Sequence, residues 1–334
     1  MKRLPIVIMM LINIANAWTQ EKVLFVGNSL TYYNDMPTLF EGIANSKGYR
    51  VEVDSYTIGG TGLAEMRSSS ELIGIIRSQS WDKVVLQPGT GESSGGSIST
   101  DSTAAVCRRI IEMVRAINPT AKVCIYEISN GVTPGEGAGD YDYYLYTQQR
   151  ILDTVTQIAR LAEVPLAPAG ECFREHYSTH RDLLLHSTFN DIHPNLAGSY
   201  LVACAIYETL YETPVVPCDY YGGLDTAVAE YLQQIADTVV LPNRERWLMG
   251  DPDDDGTEEP LSIRETEQKT IKIYPNPTTG MVNVEKDGKV AIYDVRGNKN
   301  EREVRCGVLD LRNLAPGIYV IEIDGERQKV AVCR

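Results

Sequence analysis

Histidine is scarce in this chain of 334 residues: four occur, all between positions 176 and 193. Any chemistry that needs an imidazole draws on His176, His180, His186 or His193. Metal-site patterns are missing as well. No CxxC pair and no HExxH run occurs, and the seven cysteines, Cys107, Cys124, Cys172, Cys204, Cys218, Cys306 and Cys333, are scattered without a metal-like spacing or a disulfide framework. Cys107 and Cys204 fall on apolar faces of expected helices and Cys124 in an expected strand, which reads as buried thiols. Positive charge is in deficit, 31 basic against 45 acidic residues for a formal net charge of -14. That balance argues against nucleic acid or an anionic membrane surface as the main partner. Beyond the first residues, no apolar run is long enough to span a bilayer.

What is present begins with "MKRLPIVIMMLINIANA", residues 1–17: a basic start, a short apolar core and a small-x-small end at Ala15-Asn16-Ala17. This is the pattern of a secretory signal peptide cleaved after Ala17, so the mature protein is expected to be exported, with no membrane span.

From residue 18 to 248 strand-like and helix-like segments alternate. "KVLFVG", "YRVEVDSYTI", "DKVVLQ", "AKVCIYEIS" and "VPLAPAG" read as strands. Between and after them, "MPTLFEGIANSKG", "LAEMRSSSELIGIIRSQ", "STAAVCRRIIEMVRAINP", "YDYYLYTQQRILDTVTQIARLAE", "NLAGSYLVACAIYETLYE" and "DTAVAEYLQQIADTVV" read as helices. Strands separated by helices imply a parallel sheet covered on both faces, whose functional residues gather beyond the carboxyl ends of the strands. Ser29, Gly60 and Gln87 each fall just past such an end.

Residues 249–270 are acidic and poor in aromatics, as a solvated linker is. Asp251, Asp253, Asp255 and Gly256 match the start of a calcium loop, but its twelfth position is Ser262 in place of the required Glu. From 271 to 334 short alternating runs are separated by turn signals, the style of a small all-β sandwich. Its "YPNP", "YDVRG" and "LAPGIYV" blocks resemble the C-terminal sorting domain of the type IX secretion system. The resemblance implies secretion machinery as a partner and a cell-surface or secreted destination.

His176 and His180 stand four apart, but in "ECFREHYSTHRD", which reads as polar and irregular, a pair on a solvated face. His193 differs. It precedes Pro194 and a long helical pattern, with Asp191 and Asn190 two and three places upstream. Pro194 suits the first turn of that helix. An imidazole held by a carboxylate on its own loop has the makings of a general base. Ser29 follows Gly27 at the end of the first strand and needs such a base to act as a nucleophile.

"GNSLTYYNDMP", "IGGTG" and "DIHPNLAGSYL" together resemble the SGNH (GDSL-like) hydrolases. The resemblance implies a flavodoxin-like three-layer α/β/α fold, serine esterase chemistry and no cofactor or metal. It implies Ser29 as nucleophile, His193 as base, and an oxyanion hole from the backbone N–H groups of Ser29 and Gly60, with Gly59 as the alternative. Two positions depart from the family. Its side-chain Asn donor is absent from "VVLQPGTGESS", where Gln87 is the favoured replacement and Thr90 another donor. Its Asp, three before the His, is Asn190 here, so either Asp191 or Asn190 orients His193. Tyr32, Tyr33 and Asn34, which follow Ser29, are expected to stand near its mouth and touch substrate, whereas the tyrosines of the long helix are expected to pack. The expected activity is hydrolysis of a small acyl ester, an acetyl group on a carbohydrate. The alternatives are a degenerate surface binding protein and a lipase or lysophospholipase.

Overall fold

The computed structural model describes residues 20–132 and 140–250, and residues 273–333 except 275, 277, 285–287, 294–298, 305–306 and 324–325. The expected signal peptide, the acidic linker from residue 251 onward with its calcium-like loop, and Cys306 lie outside the described residues, whereas Met249, the first residue of the expected linker, is buried in the first unit. The chain divides into two units, Met1–Asp254 and Asp255–Arg334.

The first unit is built on five parallel strands, β1 (Glu21–Gly27), β2 (Val51–Thr57), β3 (Lys83–Leu86), β4 (Lys122–Tyr126) and β5 (Leu166–Ala167), in the order β2-β1-β3-β4-β5. β1 and β3 read as unbroken apolar runs because helices cover both faces: Val23, Leu24, Phe25, Val26, Val84, Val85 and Leu86 are buried. Each such side chain contributes about 1.5–3 kcal/mol when fully buried. β2, at the edge, buries only Val51 and Tyr56 and otherwise meets solvent. Register brings Gly27 beside Thr57 and Val26 beside Leu86, so the loops after β1, β2 and β3 open at one edge.

Among the described residues of the first unit, ten α-helices follow in chain order: α1 (Ser29–Tyr32), α2 (Met36–Ser46), α3 (Leu63–Met66), α4 (Ser70–Ser78), α5 (Thr90–Ser93), α6 (Thr100–Arg115), α7 (Tyr141–Ala162), α8 (Ala169–Thr179), α9 (Leu196–Tyr211) and α10 (Thr226–Val239). The expected helix at "LAEMRSSSELIGIIRSQ" is two: α3 ends before Ser69, whose side chain caps α4. α9 is buried almost all round, hence its near-continuous apolar sequence.

The second unit has two antiparallel sheets made from β6 (Ile273–Tyr274), β7 (Met281–Val284), β8 (Gly288–Tyr293), β9 (Lys299–Val304), β10 (Val308–Asp310), β11 (Gly317–Ile323) and β12 (Glu326–Val332). Their orders are β10-β7-β6 and β12-β11-β8-β9, and both contribute to one buried core that includes Val282, Ile292, Leu309 and Ile321. Among the described residues no helix is long and apolar enough to cross a membrane.

Two expectations about residues near the site are corrected. "ECFREHYST" is part of α8, and His176 is buried, its ring nitrogens engaged with the Tyr231 hydroxyl (2.9 Å) and the Leu183 carbonyl (2.7 Å). The segment looked polar because one face carries charge while Phe173, His176 and Tyr177 turn inward. Pro194 is not in the first turn of α9. It stands before the cap residue Asn195, whose side chain accepts from the Gly198 N–H at 3.0 Å.

Candidate active site

Ser29 is presented by a turn with little freedom. Gly27 ends β1 where a Cβ would lie 2.4 Å from Thr31 Oγ1 and 2.7 Å from Gln87 Oε1, so no other residue fits. Asn28 caps α1 by accepting from the Leu30 N–H (3.0 Å), and its amide donates to the Thr61 carbonyl (2.9 Å). One side chain thus sets the start of the helix and ties it to the loop after β2. Ser29 follows as the first helical residue, where a backbone N–H has no partner within the helix.

Opposite it, Ser29 Oγ lies 2.9 Å from His193 Nε2, and His193 Nδ1 lies 2.6 Å from Asp191 Oδ1. The same Asp191 oxygen accepts the His193 backbone N–H at 3.0 Å. A carboxylate only accepts, so Nδ1 carries the ring proton and Nε2 is left to accept from the serine hydroxyl. Burial by itself would raise the Asp191 carboxyl. The His193 N–H, the imidazole and the Ile192 N–H outweigh it and hold the group below the usual carboxylate range. The His193 loop is braced on both sides. His193 accepts the Ser187 N–H at its carbonyl (2.8 Å), and Asn195 N–H donates to the Leu185 carbonyl (2.9 Å). Gly131, in the loop after β4, sits against the Asp191 backbone, where a Cβ would approach its carbonyl to 3.2 Å.

The other residues expected at the site divide. Asn190 is turned away from His193: its side-chain oxygen accepts from the Thr188 hydroxyl at 2.8 Å. Gln87 is buried, and its orientation is set by the backbone. Its carbonyl accepts the Asn28 N–H (2.8 Å) and the Thr31 hydroxyl (3.1 Å), which leaves its amide nitrogen on the Pro88 carbonyl. The side chain therefore shapes the serine turn rather than offering its amide to the cleft. Asn34, in the left-handed region at φ 53°, spends its amide on the Pro194 carbonyl and the Ser199 hydroxyl, both at 2.9 Å. It joins the serine segment to the histidine loop. Tyr32 is 44% exposed, with its hydroxyl against Gly59. Gly60, at φ +74°, lines the cleft together with Ser29 and His193. Among the described residues neither the Ser29 nor the Gly60 N–H has a protein acceptor.

Two contacts escape a reading by motif. Glu92 is 2% exposed, and its carboxylate accepts the N–H groups of Gly89 (2.7 Å), Ala64 (2.8 Å) and Leu63 (2.9 Å). It locks the loop after β2 to the loop after β3, and Gly62 rests against it so closely that a Cβ would fall 2.6 Å from the carboxyl carbon. Tyr33 stacks on the His193 ring, with centroids 4.1 Å apart and planes at 20°. Neither signal exists without the fold. The cleft holds about 370 Å³ and is lined by Gly60, Thr61, Thr90, Ser97, Ile98 and Ile192 among others. Among the described residues no lysine or arginine lines it.

Comparison with known proteins bears on each unit. Residues 272–332 match the family model described as the secretion system C-terminal sorting domain. No curated protein sequence matches the chain. Among solved structures, a DUF4886 family protein from Bacteroides uniformis superimposes at a TM-score of 0.56 with 17% identity, over 66% of this chain and 95% of that one. An acetylxylan esterase from Geobacillus stearothermophilus, solved as a catalytic mutant, gives 0.44 with 16% identity, over 57% and 94%. The first unit thus shares the α/β fold of that DUF4886 family protein, with a five-stranded parallel sheet, and residues 272–332 of the second carry a secretion sorting domain.

Proposed function

We propose that the protein is an exported serine esterase of the SGNH type that removes a short acyl group, an acetyl group foremost, from a neutral hydroxyl-rich alcohol such as a carbohydrate. The observation that carries the proposal is the continuous chain from Ser29 Oγ through His193 to Asp191, at 2.9 and 2.6 Å. The sorting domain supports export.

In this reading Ser29 Oγ attacks the ester carbonyl carbon as its proton passes to His193 Nε2. The carbonyl oxygen takes the negative charge and is met by the N–H groups of Ser29 and Gly60. His193 returns the proton to the departing alkoxide as the ester C–O bond breaks. Water then repeats the sequence on the acyl-serine and releases the acid. Asp191 stays ionised and stabilises the imidazolium at each half-reaction. Asn190 has no part in this chain, and Gln87 supports the turn instead of supplying a third donor.

The cleft supports the substrate class. Glycine, threonine and serine supply polar backbone and hydroxyl groups suited to a polyol, and Ala64, Ile98 and Ile192 give apolar surface for only a small acyl group. Without a cationic side chain it has little to offer an anionic substrate. Ser29→Ala should abolish hydrolysis of a short-chain aryl ester while the thermal transition is kept. Equal hydrolysis by both forms would refute the assignment. In a chain-length series, rates should fall beyond a few carbons; a preference for long acyl chains would favour a lipase instead.

A further inference from the structure

The two hydrogen bonds of His193 fix its ring nitrogens but leave the imidazole free to rock about the line between them. What limits that motion is the Tyr33 ring, which lies nearly parallel to it at 4.1 Å. The spacing of the two rings is itself held. Asn34, next to Tyr33, donates to the carbonyl of Pro194, next to His193, at 2.9 Å. The Ser199 hydroxyl meets both the Asn34 amide (2.9 Å) and the Tyr33 carbonyl (3.2 Å). The left-handed turn at Asn34 and Asp35 brings the serine segment back across the base.

We propose that Tyr33 is a positioning residue for the base: its ring sets the plane of the His193 imidazole, and its π face stabilises the imidazolium formed when the imidazole takes the Ser29 proton. This rests on the esterase reading above. A cation over an aromatic face is attracted by the ring quadrupole, and the attraction grows as the charge develops, so the benefit falls on the transition state rather than on substrate binding.

Tyr33 is not among the residues that line the cleft and reaches it through His193, so its loss should appear in kcat and not in KM. On a short-chain aryl ester, Tyr33→Leu should lower kcat about tenfold with KM within about twofold, and Tyr33→Phe, which keeps the ring, should stay within about twofold of wild type. Tyr33→Met serves as a second ringless form if the leucine variant melts early. Wild-type kcat in a folded ringless variant, or an equal loss in Tyr33→Phe, overturns the proposal. Nuclear magnetic resonance reads the stacking without turnover. The His193 ring protons, assigned by their loss in His193→Gln, should move downfield in Tyr33→Leu and stay in place in Tyr33→Phe; no movement overturns the stacking role. A Ser29→Ala enzyme as active as wild type overturns the esterase reading. Activity lost in Ser29→Ala but kept in Tyr33→Leu overturns this proposal alone.

Discussion

Two carboxyl groups near the two ends of α9 are treated in opposite ways. Asp191, before the helix, keeps a third of its side chain in solvent and is surrounded by donors, so it is held below the ordinary carboxylate range. Glu208, in its last turn, is buried, and burial together with the neighbouring Asp237 carboxyl pushes it up to about 10. Glu208 therefore keeps its proton at neutral pH, while its carboxyl and that of Asp237 both accept the Val215 N–H, at 3.2 and 2.9 Å. Solvent and donors are what keep a carboxylate charged for catalysis. Burial beside a second acid converts the same group into a neutral clamp.

The largest expected effect of breaking this contrast is at the charged end. Asp191→Ala should lower kcat by about 10³–10⁴-fold with little change in thermal stability, as the imidazole loses the group that sets its tautomer. Asn190→Ala should leave kcat within about twofold of wild type, since Asn190 bonds only Thr188 there. Steady-state kinetics on one aryl ester measures both, and a larger loss at Asn190 than at Asp191 would reverse the assignment.

An intermediate effect is expected where a buried carboxylate acts on the site from behind. Gly62→Ala would drive a methyl into the Glu92 carboxylate and displace the loop that carries Gly60. A loss of about 10–100-fold in kcat should follow, because misplacing an oxyanion donor by about an ångström weakens its action on the developing charge. A wild-type rate would show that Gly60 is not a donor.

The smallest effect concerns stability. Glu208 has a raised value in the folded state, so its contribution is fully present below the unfolded value of about 4.5 and is lost as pH rises toward its folded value of about 10. Melting temperature should decline between pH 5 and 9. In Glu208→Gln, which has no proton to lose over this range, that decline should flatten in differential scanning fluorimetry. Activity at fixed pH should be retained, which separates this carboxyl from Asp191.

The same contrast explains what could be read before the fold was seen. β1, β3 and β4 were legible because strands covered on both faces must be apolar throughout, β2 because an edge strand alternates, and the positions of Ser29 and His193 because glycine and proline mark strand and helix ends. The contacts of Asn28, Tyr33 and Glu92 were not, since their partners lie in other segments: Thr61, His193 and Ala64. Gln87 was in the right place with the wrong assignment. The side chain type fits an oxyanion donor, but the Asn28 N–H claims its carbonyl and so turns the amide to Pro88. α8 was hidden by the charged face it shows to solvent.

Covalent labelling with a fluorophosphonate, mapped by mass spectrometry, tests Ser29 as the nucleophile without any knowledge of the substrate. The Ser29–His193–Asp191 chain predicts one modified residue, Ser29, with labelling abolished in Ser29→Ala and strongly slowed in His193→Ala. An unlabelled wild-type protein, or a label carried on another residue, would contradict it.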